Sequence, residues 1–446
     1  MTMKSRIPMK AVLLVAGSSE KFFPLDYNRT KHMMPVAGRP LLERSILELK
    51  EAGVDEILLV VGFQKEVLKD YFKDGSVLSV KIHYVDQDFS LGKGTGIATS
   101  FAKEFVANDP FLLIYGDLQY DAKTIKEIIK VFQDEDVDAL LTLSRVDDPS
   151  LFGIVEIDAS KLVTRIVEKP EPGQSDSNLA NAGIYVFKPI IFDAIARTGL
   201  SARDEIELTD SVQILVDEGR KVKGFDLAGA WWRDVGRAHD LLDANAHYFT
   251  KIKKLIKGNI ERNVQIKGEV YIGANTIVRS GTYIEGPVYI GHECEIGPNA
   301  YLRPNTYIGD KCRIGNACEI KASIIMTGTK ISHLSYVGDS VIGEKVNLGA
   351  ATIVANLRLD HKEIALREQG GLIPTGLRKL GVLCGDNVNV GCNTNLEPGV
   401  RIGANSIIGP NVTISEDIEP DTLVYIKWTD KDFYIKKKIG QSSQEN

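Results

Sequence analysis

The stretch VYIGANTIVRSGTYIEGPVYIGHECEIGPNAYLRPNTYIGDKCRIGNACEI, Val270–Ile320, decides the architecture of the second half of this chain. Ile272, Val278, Ile284, Ile290, Ile296, Leu302, Ile308, Ile314 and Ile320 follow one another every sixth residue, and Ile266 extends the row upstream. A six-residue period fits neither the 3.6-residue helix nor the two-residue alternation of an ordinary strand. It fits a flat coil whose sides each point one aliphatic inward, so that stacked coils build a continuous apolar column. Glycine often follows the aliphatic residue, as at Gly273, Gly291, Gly309 and Gly315, and is expected to let the chain turn at the corner. The register shifts after Ile320 and resumes at Ile342, Leu348 and Val354; after a polar insertion it returns at Cys384, Val390, Leu396, Ile402, Ile408 and Ile414. Irregularly spaced antiparallel strands would not keep such a register.

Upstream of residue 255 the pattern is different. Ala11–Ala16, Glu56–Val61 and Phe111–Tyr115 read as strands, while Leu41–Ala52, Lys65–Phe72 and Ala122–Phe132 read as helices. This βαβα order predicts a Rossmann-like α/β domain whose mainly parallel sheet is covered on both faces, with ligands at the carboxyl ends of its strands. Arg237–Lys257 reads as a linker helix, so the expected organisation is an α/β domain over 1–255, a coil domain over 256–426 and a loosely ordered polar tail over 427–446. At 446 residues two or more domains are required. A formal net charge of −6 offers no general attraction for nucleic acid or anionic lipid, and the apolar run Ala11–Ala16 is too short for a membrane span or a signal core. A cytoplasmic protein is expected. Its five cysteines, with no CxxC pair, read as reduced, buried thiols.

Four motifs stand in the coil region: YLRP (Tyr301–Pro304), EIKAS (Glu319–Ser323), HLSYVGD (His333–Asp339) and VNLGAATIVAN (Val346–Asn356). Their order and spacing resemble the acetyltransferase domain of the bifunctional glucosamine-1-phosphate acetyltransferase/N-acetylglucosamine-1-phosphate uridyltransferases, including their archaeal relatives. The resemblance implies a left-handed parallel β-helix of hexapeptide repeats, a homotrimer with active sites between subunits, and acetyl-CoA as cosubstrate. It makes His333 the general base, gives Arg303 and Lys321 the sugar phosphate, Tyr336 and Asn347 the sugar, and Ala350 and Asn356 the acetyl-CoA site. The residue types suit the chemistry. Histidine titrates near ambient pH and can take the proton of an ammonium group, and two cations match a phosphate monoester. His333 is also singled out by its place where the six-residue register breaks.

The first half resembles nucleoside-triphosphate:sugar-1-phosphate nucleotidyltransferases. It carries AGSSEKFFPL (Ala16–Leu25) and RTKHMMPVAGRPLLE (Arg29–Glu43), with Gly17, Lys31 and Pro35–Pro40 in the family's places. Ser19, Glu20 and Lys21 replace the family's glycine, threonine and arginine in the phosphate loop, and the usual LGTA segment reads LGKGTG from Leu91, with Gly92 retained. The resemblance implies Mg2+ held by Asp117 (in YGDL) and Asp234 (in WWRDVG), UTP or another nucleoside triphosphate as cosubstrate, and Gln87 against the base. Gly153, Glu168, Lys169 and Asn181 match sugar-binding positions, while Lys21 and Lys31 take the catalytic ones. A lysine keeps the charge of the family arginine but loses its planar fork. Three readings therefore stand at this point. One is a bifunctional enzyme acting on glucosamine or galactosamine 1-phosphate; another is an acetyltransferase with a regulatory nucleotide-sugar-binding domain; the third is a non-catalytic assembly subunit.

Overall fold

The computed structural model describes residues 9–17, 20–171, 173–368, 371–427 and 435–438. The chain divides into two compact units, Met1–Ser18 with Leu42–Asp234, and Ser19–Leu41 with Val235–Asn446.

In the first unit, Lys10–Val15 lies between Glu56–Val61 and Phe111–Tyr115, parallel to both, and Lys81–Asp86 continues the parallel set. The first three are near-continuous apolar runs because both of their faces are buried, whereas the edge strand Lys81–Asp86 is mixed. Val222–Asp226 is likewise parallel to Ala139–Arg145, but the rest of the nine-stranded sheet departs from the parallel expectation: Leu179–Phe187 runs antiparallel to Phe111–Tyr115 and to Ala139–Arg145, and Gly153–Ile157 pairs antiparallel with Val163–Glu168. The cause is local in the last pair. Asp158 accepts hydrogen bonds from the backbone N–H of Ser160 and Leu162 at 2.8 and 2.9 Å, closing a turn too short for a parallel crossover. Leu179–Phe187 also breaks register with Ala139–Arg145 between Asn181 and Tyr185, where Gly183 adopts φ +75°.

The second unit is a parallel β-helix whose three faces are sheets of eight, ten and eight strands. Successive coils are eighteen residues long at first: Val270 faces Val288, and Val288 faces Thr306. Beyond Ile308 they shorten to seventeen, with Ile308 against Ile325 and Ile320 against Val337. The missing residues fall at Ala322 and Asp339, both in left-handed backbone, so the register breaks there and not at His333. The interior aliphatics from Ile272 to Ile314 are wholly inaccessible, each contributing about 1.5–3 kcal/mol by leaving water. Two residues before many of them sits a buried Thr, Ser or Cys that bonds to the next coil. Thr276 Oγ1 donates to the Gly291 carbonyl at 2.7 Å, and the Cys294 and Cys312 thiols to those of Gly309 and Met326, each at 3.1 Å.

The corners differ from the sequence expectation. The left-handed corner residue is most often asparagine, as at Asn275, Asn299, Asn387, Asn393, Asn405 and Asn411, whose short amide side chain tolerates that conformation. Most repeat glycines serve a different end. A Cβ on Gly309 would lie 2.8 Å from the Thr327 N, and one on Gly349 2.6 Å from the Gly391 carbonyl carbon, so glycine is there for the close approach of coils. Of the five cysteines, Cys294, Cys312, Cys318 and Cys384 are buried and Cys392 is exposed; all are free thiols. The linker helix spans Asp240–Phe249. In the tail, Ile435–Lys438 pairs antiparallel with Thr422–Tyr425, and residues 428–434 and 439–446 lie outside the described residues. No helix among the described residues is long and apolar enough to cross a membrane.

Candidate active sites

At the shortened corner of the β-helix four motif residues come together. Arg303 and Lys321 occupy equivalent positions of adjacent coils, since Tyr301 and Leu302 pair with Glu319 and Ile320. Arg303 Nη1 donates to Glu319 Oε1 at 2.8 Å, and its guanidinium lies 5.7 Å from the centre of the Tyr301 ring. Glu319 raises the Arg303 pKa further. Lys321 Nζ donates to both oxygens of Asp339, at 2.7 and 3.0 Å. Asn356 Nδ2 donates to the Tyr336 hydroxyl at 3.2 Å and also to Asp339 Oδ2. Burial, then the Asp339 and Glu319 carboxylates, raise the Tyr336 pKa. Gly338 fits beneath this group because a Cβ there would meet the Tyr336 hydroxyl and, at 2.7 Å, the Asn356 amide. Asp339 is thus the hub of the cluster. The sequence reading quoted it within a motif and gave it no role, although the one-residue loss at its corner was a signal.

His333 lies at the exposed end of Lys330–His333, opposite Asn316 of the preceding coil. Its carbonyl is fixed by Ser335 Oγ at 2.8 Å and by the Ala351 N–H at 3.2 Å; among the described residues its imidazole has no hydrogen-bond partner. Asn347 is exposed on the same face, facing Lys330 and Asn389, and the Ala350 carbonyl accepts from the Asn393 N–H at 2.8 Å. His333 and Asn347 therefore stand on one sheet, and Tyr336 on another.

In the first unit, Gly153, Glu168 and Asn181 converge. A Cβ on Gly153 would lie 2.9 Å from Glu168 Oε2, 3.2 Å from Thr209 Cγ2 and 3.8 Å from Asn181 Cβ. Thr209 Oγ1 donates to Glu168 Oε2 at 3.3 Å, while Arg203 Nη2 bonds Glu168 at 3.4 Å and Glu207 at 2.6 Å. Asn181 Nδ2 donates to the Tyr185 hydroxyl, which shares a 2.9 Å hydrogen bond with that of Tyr115. Burial raises the Glu168 pKa against the opposing pull of Arg203, and pushes Tyr115 up to about 12. Thr209, Arg203 and the tyrosine pair were not picked out from sequence; ELTD (Glu207–Asp210) carried no recognised signal. Lys169, in left-handed backbone, donates its N–H to the Phe152 carbonyl at 3.0 Å.

Asp117 ends the turn after Phe111–Tyr115, and its neighbour Leu118 is paired with Asp234 across a two-stranded ribbon. The ribbon so brings both carboxylates to neighbouring positions. Among the described residues no group of three or more His, Cys, Asp or Glu is arranged to hold a metal alone. Two carboxylates fit Mg2+, a hard ion that keeps several waters and takes phosphate oxygens from its substrate. Gly17 is exposed, with open space where a Cβ would be. Gln87 is tied to the central sheet by its N–H to the Val61 carbonyl at 2.8 Å. Gly92 has φ +124° and opens a segment tied to Ile206, which bonds Lys93 and Gly96 through the backbone at 2.9 Å each.

Lys21 and Lys31 belong to the second unit. Lys21 lines a cleft of about 650 Å3 with Phe23, Arg367, Glu368, Arg401, Glu416, Asp417 and Glu419; against the opposing effect of burial, the Glu368 carboxyl is held below its usual range first by its hydrogen bond to Arg237 and then by the charges of Arg237, Arg401 and Lys21. Lys31 begins a short 3-10 turn, Lys31–Met33. Ser19 lies outside the described residues, as does the side chain of Glu20.

An α/β sheet domain with a carboxylate pair, followed by a β-helix of six-residue sides, defines a nucleotidyltransferase joined to a hexapeptide-repeat transferase. The nucleotidyl transferase family model matches residues 10–251, the bacterial transferase hexapeptide model residues 381–416, and a GMPPB C-terminal domain model residues 284–394. The chain is 45% identical over 419 residues to the bifunctional protein GlmU of Methanococcus maripaludis strain C7, covering 94% of this chain and 98% of that one. It is 43% identical to the protein of the same name from Methanocaldococcus jannaschii, covering 94% and 97%. It is also 40% identical to the bifunctional sugar-1-phosphate nucleotidylyltransferase/acetyltransferase of Sulfurisphaera tokodaii, covering 92% and 98%. A putative glucose-1-phosphate thymidylyltransferase of Bacillus anthracis matches 54% of the chain and 94% of its own at 28% identity, with a TM-score of 0.48. The chain belongs to the bifunctional GlmU family of nucleotidyltransferases with hexapeptide repeats.

Proposed function

We propose that this chain acetylates glucosamine 1-phosphate, or galactosamine 1-phosphate, with acetyl-CoA and then couples the product to UTP. The observation that carries this reading is the Asp339 hub, which gathers Lys321, Tyr336 and Asn356 at one corner beside Arg303. In the first step the substrate amine attacks the thioester carbonyl, the C–S bond breaks and coenzyme A leaves. His333 takes the proton released from the ammonium group and returns it to the departing thiolate. Arg303 and Lys321 hold the phosphate, and Tyr336 and Asn347 the sugar, with Ala350 and Asn356 along the acetyl-CoA. In the second step a phosphate oxygen of the sugar phosphate attacks the α-phosphorus of UTP, and the bond to pyrophosphate breaks. Gly153, Glu168, Lys169 and Asn181 bind the sugar, Gln87 and Gly92 the nucleoside, Gly17 the phosphates, and Lys21 and Lys31 stabilise the charge of the leaving pyrophosphate. Asp117 and Asp234 would hold Mg2+, which would supply positive charge to offset that of the phosphates.

The near-complete coverage of relatives named as bifunctional supports two activities over the acetyltransferase-only and assembly-subunit readings. The exposure of His333 and of its chain neighbour Leu334 supports a homotrimer in which a neighbour completes the acetyl site. A cytoplasmic location and functional divisions near residues 255 and 426 complete the proposal. The test is a pair of assays on one sample. Thiol release with acetyl-CoA and either amino-sugar phosphate reports the first step, and pyrophosphate release with UTP, Mg2+ and N-acetylglucosamine 1-phosphate the second. Activity in both is expected; thiol release alone would leave the α/β domain a binding module, and silence in both would refute the enzyme reading.

A further inference from the structure

The segment that carries Lys21 and Lys31 is packed onto the β-helix at several points. Arg29 lies between those two lysines, with only 12% of its side chain exposed. Its guanidinium reaches three successive coils. Nη1 donates to Glu344 Oε1 and to the Met326 sulfur, each at 3.2 Å, and Nη2 bonds Asp386 Oδ2. Asp386 is 3% exposed and spends its other oxygen on the Glu344 N–H at 2.7 Å. On either side the backbone is seated tightly. A Cβ on Gly385 would lie 2.7 Å from the Pro24 carbonyl oxygen, and one on Gly38 would enter the ring of Tyr289. Further along, the Ala37 N–H donates to Asn245 Oδ1 at 2.8 Å, and Asn245 Nδ2 to the Asn305 carbonyl at 3.0 Å.

A surface tether would use an exposed lysine or a lone ion pair, which fixes little. Here a planar cation with five donors, itself largely buried, is held against the buried Asp386 carboxylate, the more exposed Glu344 carboxylate and a sulfur. That geometry locks both position and orientation, and leaves a buried charge exposed to loss if either side is removed. We propose that Arg29 is a positioning residue for nucleotidyl transfer, through which Asp386 and Glu344 of the β-helix fix the segment bearing Lys21 and Lys31. This rests on the nucleotidyl-transfer reading above. The Lys21 substitution in the signature loop fits such an arrangement, because a flexible lysine depends on its backbone being held from outside.

The test uses the full chain and reads both activities. In Arg29→Ala, kcat for pyrophosphate release should fall at least tenfold, while KM for N-acetylglucosamine 1-phosphate stays within twofold and thiol release is unchanged. Arg29→Lys should recover part of the loss, since one ammonium can satisfy one carboxylate but not both together with the sulfur. Should Arg29→Ala fail to fold, Asp386→Asn keeps the volume and the bond to the Glu344 N–H, and should lower the same kcat about threefold. Unchanged kcat in either variant, or equal loss of both activities, overturns the proposal. If the wild type itself releases no pyrophosphate, the activity reading and the positioning role of Arg29 fall together. Amide exchange over residues 20–41 then decides the anchor separately: faster exchange in Arg29→Ala supports it, and identical exchange removes it.

Discussion

Replacing Lys321 with methionine asks how much of the substrate phosphate's binding the Asp339 hub supplies. A hydrogen bond to a charged group is worth about 1.5–3 kcal/mol net. Lys321 Nζ already lies 2.7 and 3.0 Å from the two Asp339 oxygens, so the phosphate gains only the surplus over a partner that stays in place. The low end applies, about 1.5 kcal/mol, and at 1.4 kcal/mol per tenfold this predicts a roughly tenfold rise in KM for the amino-sugar phosphate. Folding should suffer as well. The ion pair is 20% and 15% exposed, so losing Lys321 costs more than the up to about 1 kcal/mol of a surface pair, tempered by the Asn356 amide that Asp339 keeps. Initial rates of thiol release across a range of sugar phosphate give KM, and thermal unfolding gives the stability change. A KM within twofold of wild type, in a protein that still melts cooperatively, would refute the assignment of Lys321 to the phosphate.

His333→Ala should abolish acetyl transfer and leave the melting temperature almost unmoved, because the imidazole has no hydrogen-bond partner among the described residues; a shift of several degrees would show a structural role instead. Glu168→Gln should change stability in a pH-dependent way. Burial raises the folded-state pKa of Glu168 above its ordinary value, so the wild type loses stability as pH rises through that raised pKa, and the glutamine variant does not. The melting-temperature difference in favour of the variant should therefore be larger at pH 7 than at pH 4, and a difference independent of pH would contradict the raised pKa. Gly315→Ala should destabilise the β-helix strongly, since its Cβ would run into the Ser332 carbonyl, whereas Gly17→Ala meets open space and should fold normally; comparable melting of the two would overturn the close-approach account of the repeat glycines.

The β-helix was legible because its period is set by one inward aliphatic per side, a signal that recurs from Ile266 to Ile414. Its corners were less so. Glycine was assigned the turn because its conformational freedom is familiar, yet asparagine is the commonest left-handed corner residue and most repeat glycines supply the clearance between coils. Sequence register showed that something shifts after Ile320, but only strand pairing places the losses at Ala322 and Asp339, away from His333. The sugar-binding cluster was half visible. Gly153, Glu168 and Asn181 were named by motif, while Thr209 and Arg203 reach Glu168 from a distant helix and loop that no local pattern connects. The antiparallel part of the sheet escaped because buried strands of either direction present similar apolar runs. Arg29 carried no signal, since an arginine in a loop is ordinarily solvated and its acidic partners lie more than three hundred residues away.

After Val354 the chain leaves the stack, forms a hairpin from Ala365–Glu368 and Gly371–Pro374, and rejoins it at Leu383–Cys384, with Ile342 opposite Cys384 as if nothing had intervened. Each coil touches only the coil before and after it, so the stack tests spacing solely from one side to the next. Such a scaffold has a grammar. Whole coils can be added or removed, and a detour of any length is allowed at a corner, but a single residue lost within a side must be absorbed by the following corner. The detour, with Leu359 fully solvated, is thus the natural place to graft a foreign peptide or label without disturbing the column. The two shortened corners show the other permitted edit, used here to draw a lysine and an aspartate of adjacent coils into contact.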